Sequence, residues 1–63
     1  MSTVVVRCID VKRNKNGEIT HCVLCDDYRN IKVFTSNEVK DILKTERMHI
    51  LNMSMYNGEL IEV

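Results

Sequence analysis

The chain contains no proline, only two glycines and only three aromatic residues, Tyr28, Phe34 and Tyr56. Without proline, and with no repetitive or low-complexity stretch, no segment reads as a linker, so residues 1–63 are expected to form one domain. None of the aromatics is interleaved with the basic loop KRNKNG, which leaves that loop without a stacking platform for single-stranded nucleic acid. Charge of one sign is missing too. Nine Lys and Arg balance nine Asp and Glu, so there is neither a global basic field for nucleic acid nor an acidic mimic of it. The opening MSTVVVRCID has no basic n-region, and charges recur too often along the chain for a membrane span. Three cysteines make an odd number that a secreted disulfide scaffold rarely tolerates, and the expected location is the cytoplasm.

What is present is short. A domain of this size buries only roughly 60% of its unfolded surface, and such domains recruit a metal, a disulfide or a second copy of themselves. The segments TVVVRCIDV and EITHCVLC are rich in β-branched residues and flank KRNKNG, whose Asn16-Gly17 pair predicts a hairpin. The polar run DDYRN leads to a third short strand, IKVFT. In TSNEVKDILKTER, Val39, Ile42 and Leu43 recur at helical spacing, and Thr35 and Glu38 sit at capping-box spacing. This predicts a helix that starts just after Thr35 and ends between Lys44 and Arg47, where cations suit its negative end. MHILNMSM and ELIEV then flank Tyr56-Asn57-Gly58, a second Asn-Gly hairpin. The expected fold is α+β, of order β-β-β-α-β-β: an antiparallel curled sheet with one short helix.

The pentapeptide HCVLC, residues 21–25, has the Cys-x-x-Cys spacing of zinc and redox motifs. On a strand, however, Cys22 and Cys25 point to opposite faces, and Val23 and Leu24 favour extended backbone over the tight turn of a zinc knuckle. No second ligand pair accompanies them, since Cys8, His21 and His49 are scattered, so no metal and no cofactor are expected. A thioredoxin-like role needs a helix N-terminus at the first cysteine, and here the helix starts more than ten residues later. If Asn16-Gly17 is a two-residue loop, Lys15 pairs with Glu18, Val11 with Cys22, Lys12 with His21, Ile9 with Leu24 and Cys8 with Cys25. The Cys8–Cys25 positions would then be a non-hydrogen-bonded pair with Cα atoms about 4.5 Å apart, within reach of a disulfide. The other reading of this redox pair is two reduced thiols packed as small hydrophobes. A three-residue loop with a glycine bulge would instead bring Cys8 opposite Leu24.

His21 falls near the loop with no acid or nucleophile beside it, and a chain with one ten-residue helix can scarcely enclose a catalytic pocket, so an enzyme is not expected. Lys12, Arg13 and Lys15 gather at one hairpin tip, a candidate nucleic-acid contact. Met48, Met53 and Met55 read as core filler. One helix about 15 Å long and about 10 Å wide cannot cover five strands spanning about 24 Å. Strand one carries Val4 and Val6 on one side and Val5, Ile9 and Val11 on the other; strand two opposes Ile19 and Val23 to Cys22 and Leu24. Strands apolar on both faces call for a sheet that closes on itself or for a partner, most simply another copy of the chain. Val4, Val6, Ile19 and Val23 are the residues expected at that self-association face.

Ile19, Thr20 and His21, then Ser36, Glu38, Val39 and Ile42, then Gly58, Ile61 and Val63 resemble the Ile-Thr/Ser-His strand, Ser-x-Glu-Val-x-x-Ile helix start and terminal Gly-x-x-Val-x-Val strand of the bacterial and phage family called domain of unknown function 3892. The resemblance covers the last two-thirds of the chain. It implies a compact β-rich domain without catalytic residues, often encoded beside mobile elements. The glycine expected just after the helix is replaced by KTERMH, so another residue must make the left-handed cap. Taken together, these observations lead to a non-enzymatic interaction module that is a homo-oligomer, with a host or phage protein as a further partner. The alternative is a small nucleic-acid-binding regulator.

Overall fold

A computed structural model describes residues 4–63. The β-branched first segment forms β1 (Val4–Arg13), and Thr3, where that strand was expected to begin, lies outside the described residues. It is followed by β2 (Ile19–Cys25), β3 (Ile31–Thr35), α1 (Ser36–Thr45), β4 (Met48–Leu51), β5 (Met53–Tyr56) and β6 (Glu59–Glu62). The α+β class and the order of three strands, one helix and further strands are as the sequence predicts, with six strands where five were expected. MHILNMSM is divided into β4 and β5 because Asn52 adopts a left-handed conformation (φ 72°), which turns the chain between them.

Four strands make one sheet in the order β3-β2-β1-β4, and β5 and β6 make a separate hairpin. The sheet does not close into a barrel. It is also not purely antiparallel: β4 runs parallel to β1, with Val4 beside Met48 and Val6 beside Ile50. The reason is the connection. Strand β3 lies at one edge and β4 at the other, so α1 carries the chain across the sheet and returns it in the same direction, as a crossover must.

The helix starts where its capping chemistry says it should. Thr35 is the N-cap; its hydroxyl accepts from the Glu38 amide and the Glu38 carboxylate accepts from the Thr35 amide at 3.0 Å, closing the capping box. At the other end Glu46 takes the left-handed position (φ 54°) that glycine usually fills, and its amide donates to the Ile42 carbonyl. Val39 and Ile42 point into the core.

One core holds the molecule together. Val6 and Cys8 of β1, Cys22 and Leu24 of β2 and Ile50 of β4 lie on the same face of the sheet and pack with Val39 and Ile42 of α1 and with Met53 and Leu60 of the β5–β6 hairpin. An ion pair between Arg13 and Glu62 fastens that hairpin to the end of β1. The β5–β6 turn at Asn57 and Gly58, both with positive φ and with Tyr56 paired to Glu59, is the two-residue Asn-Gly hairpin the sequence predicts.

The first hairpin departs from the two-residue reading. Asn14 donates to the Glu18 carbonyl and Gly17 to the Asn14 carbonyl, both at 3.0 Å, with Gly17 at φ 82°. This is the three-residue loop with a glycine bulge. The Asn14 side chain selects it by accepting from the amides of Asn16 and Glu18. The expected Lys15–Glu18 pairing is thereby replaced by Asn14 with Glu18. Two irregularities then follow, one at Thr20 and one at Ile9. Val11–Cys22 and Lys12–His21 are paired as expected, but beyond Ile9 the register slips and Cys8 faces Leu24 while Arg7 faces Cys25.

Candidate interaction surface

The bulge at Ile9 decides which side chains meet the solvent. Before it, Val6 and Cys8 face the core and Val5, Arg7 and Ile9 the opposite side; after it, Val11 returns to the core edge. A regular strand would have left Val5, Ile9 and Val11 together, and the extra residue separates Val11 from them. Strand β2 behaves likewise: Ile19, Cys22 and Leu24 are buried, and Val23 and Cys25 face away.

The expected self-association set is therefore redistributed. Val6 and Ile19 are core residues, each 9% exposed. Val4 is exposed but lies on the core side, and Val23 alone of the four lies on the open side. The open side is built instead from Val5, Arg7, Ile9 and Asp10 of β1, Val23 and Cys25 of β2, Ile31 and Val33 of β3, and His49 and Leu51 of β4; the Asp10 carboxylate accepts from the Val11 amide. Val5 is 40%, Ile9 48%, Ile31 62% and Val33 51% exposed, although β-branched side chains of this kind are ordinarily buried. Alternation in IKVFT was the signal for Ile31 and Val33; the bulge that reassigns β1 has none.

Arg7 stands in the middle of this apolar field, between Cys25 on β2 and Leu51 on β4. Its side chain makes no hydrogen bond or ion pair among the described residues. Next to it, Val5, Ile9, Cys25, Asp26, Asp27 and Leu51 border a shallow depression of about 130 Å³. Asp26 is committed to the β2–β3 turn, accepting from the amides of Tyr28 and Asn30 and from the Asn30 side chain. Those bonds, the Asn30 side chain first, hold its carboxyl below the usual range. Asp27 is exposed and its carboxylate is free of such bonds among the described residues.

The predicted Cys8–Cys25 redox pair does not exist, because Cys8 points into the core and Cys25 onto the open side. Cys8 and Cys22 are the neighbours, and Cys22 is fully buried. Burial pushes the Cys22 thiol up to about 11, with the neighbouring Cys8 adding to it, and burial also raises Cys8. Cys22 and Cys25 lie on opposite faces, as strand alternation requires. Among the described residues no three His, Cys, Asp or Glu side chains converge as a metal site.

The basic residues of the first hairpin do not act together. Arg13 is held by Glu62 and by the Gly17 carbonyl, at 2.7 Å. Lys12 is exposed beside His21 on β2, and Lys15 is exposed in the loop. Met48, Met53 and Met55, with Leu43 and Ile50, line a groove of about 540 Å³ along β4, rimmed by Glu46, His49 and Ser54. Met53 is core filler, as expected; Met48 and Met55 are only partly covered. No helix is long and apolar enough to cross a membrane. No family model, curated protein or solved structure matches this chain.

Proposed function

We propose that this chain is a non-enzymatic, cytoplasmic interaction module that self-associates through the open face of its four-stranded sheet. The observation that carries the reading is the exposure of Val5, Ile9, Ile31 and Val33 on one continuous face, while α1 and the β5–β6 hairpin both pack on the other.

The groups with perturbed acidity have structural duties that account for them: Cys8 and Cys22 fill the core, Asp26 ties a turn and Glu38 caps the helix. That supports binding rather than catalysis. The residues that carry the resemblance to domain of unknown function 3892 include Glu38, Val39 and Ile42, which cap and pack the helix, so the resemblance supports a shared architecture and, by extension, a bacterial or phage accessory role.

Sedimentation equilibrium from about 1 to about 300 μM tests the reading. The expected result is a mass rising from 7.4 kDa towards twice that value, and Val33→Lys, which alters only an exposed side chain, should hold the protein at monomer mass. A wild-type mass of 7.4 kDa across the range would overturn it. The alternative, nucleic-acid binding by Lys12 and Lys15, separates by salt: phosphate contacts impose a steep slope, whereas an apolar face does not.

A further inference from the structure

We propose that the self-association is an isologous dimer in which Arg7 of each copy pairs with Asp27 of the partner subunit across the open face. The inference rests on the interaction reading above and names its occupant. A cation without a partner in the middle of an apolar field is a costly thing to cover, because any protein seated there must desolvate the guanidinium and supply an anion. The same depression that holds Arg7 is bordered by Asp27, whose carboxylate is also free of bonds among the described residues. One face thus carries both halves of an ion pair that it does not make within itself.

That combination fits a second copy of the chain. A two-fold interface must be self-complementary, since every contact made by one residue is made again by its symmetry mate. An axis lying in the contact plane and equidistant from Arg7 and Asp27 sets each against the other of the opposite copy, so one geometrical condition forms the pair twice. Valine, isoleucine and leucine side chains around it would exclude water, the setting in which an arginine–carboxylate contact is strongest. The charges of the two copies also raise no objection, as the net charge of each is zero. Extent agrees as well. Four strands about 4.8 Å apart, read over about six residues of about 3.3 Å, offer a plan area near 400 Å² before side-chain relief is added. A matching face of the same size covers it without overhang.

Charge exchange tests the pairing. Arg7→Asp and Asp27→Arg change exposed side chains that make no hydrogen bonds among the described residues, and circular dichroism would verify that each folds. Each single variant should weaken self-association by roughly tenfold to a hundredfold, because two like-charge contacts replace two pairs. The double variant R7D/D27R, which recreates the pair with its ends exchanged, should recover to within about threefold of wild type. Single variants that dimerise as wild type, or a double variant no better than the singles, overturn the pairing. If Val33→Lys still disperses the protein in that case, the open-face reading survives the loss of the ion pair. A wild-type protein that stays monomeric removes both.

Discussion

At the scale of single residues, the cysteines make the sharpest statement. Cys8 and Cys22 are protonated, buried neighbours, whereas Cys25 is half-exposed on the open face. A maleimide at pH 8 should therefore modify Cys25 alone in the folded protein, at concentrations low enough to keep it monomeric and its open face uncovered, and all three thiols in denaturant, with mass spectrometry of peptides as the readout. Modification of Cys8 at the rate of Cys25 would contradict its place in the core. The buried thiols also give stability a pH limb. The folded Cys22 keeps its proton up to about 11 while the unfolded thiol loses it near 9.0. Its contribution is complete below the lower value and is lost as pH rises through the higher one. Urea unfolding between pH 8.5 and 10.5 should show wild type falling more steeply than Cys22→Ala, which is weaker throughout because it leaves a cavity. Glu46 is the opposite case, a side chain strained by its backbone. Glu46→Gly at φ 54° should raise stability by about 0.5–1 kcal/mol, a shift of roughly 2–8 °C in Tm.

At the scale of elements, the capping box of α1 is a device whose pH dependence has a definite sign. Hydrogen bonds from the Thr35 amide, and then from its hydroxyl, hold the Glu38 carboxyl below the usual range. The box is intact above the unfolded pKa of that group and is lost as pH falls through the lower, folded one. Thr35→Ala should cost about 1 kcal/mol at neutral pH, and in acid Glu38→Gln should lose less stability than wild type, both read by thermal melts. This cap was legible because its spacing is local: the bonds that close the box run only between Thr35 and Glu38. The Asn57-Gly58 turn was legible for the same reason. The first hairpin was not, because two loops compete for Asn16-Gly17, and the Asn14 side chain settles the choice through hydrogen bonds that composition does not announce. Nor does anything in VVVRCIDV mark the bulge at Ile9, which takes Val11 from the open side to the core edge. A surplus of apolar surface over the reach of one helix could be counted from the sequence; which residues carry it could not.

At the scale of the whole molecule, the sheet presents one finished side and one unfinished side. A protein that finishes itself by pairing is stabilised by mass action, so its melting temperature depends on its own concentration. Across a hundredfold rise in concentration Tm should climb by several degrees for wild type and stay level for Val33→Lys, measured by calorimetry. A level wild-type curve would say that the open face remains wet. The dimer's dependence on salt should be shallow, since in the proposed geometry apolar side chains shield its two ion pairs from solvent and counterions.

The parallel seam between β1 and β4 has a temporal consequence. Val4 is synthesised well before its neighbour Met48, which follows only after both other strands of the sheet and the helix have been made. During that interval the β1–β2 hairpin can zip, being local, while the far edge of β1 waits with its amides and carbonyls unclaimed. Closing the seam is thus the slow, non-local event of folding, and a nascent or truncated chain that stops before β4 displays a valine-rich strand edge to its neighbours. The same valines that serve the finished protein are its exposure to misassembly on the way there, and the arrival of four residues, Met48 to Leu51, ends that exposure.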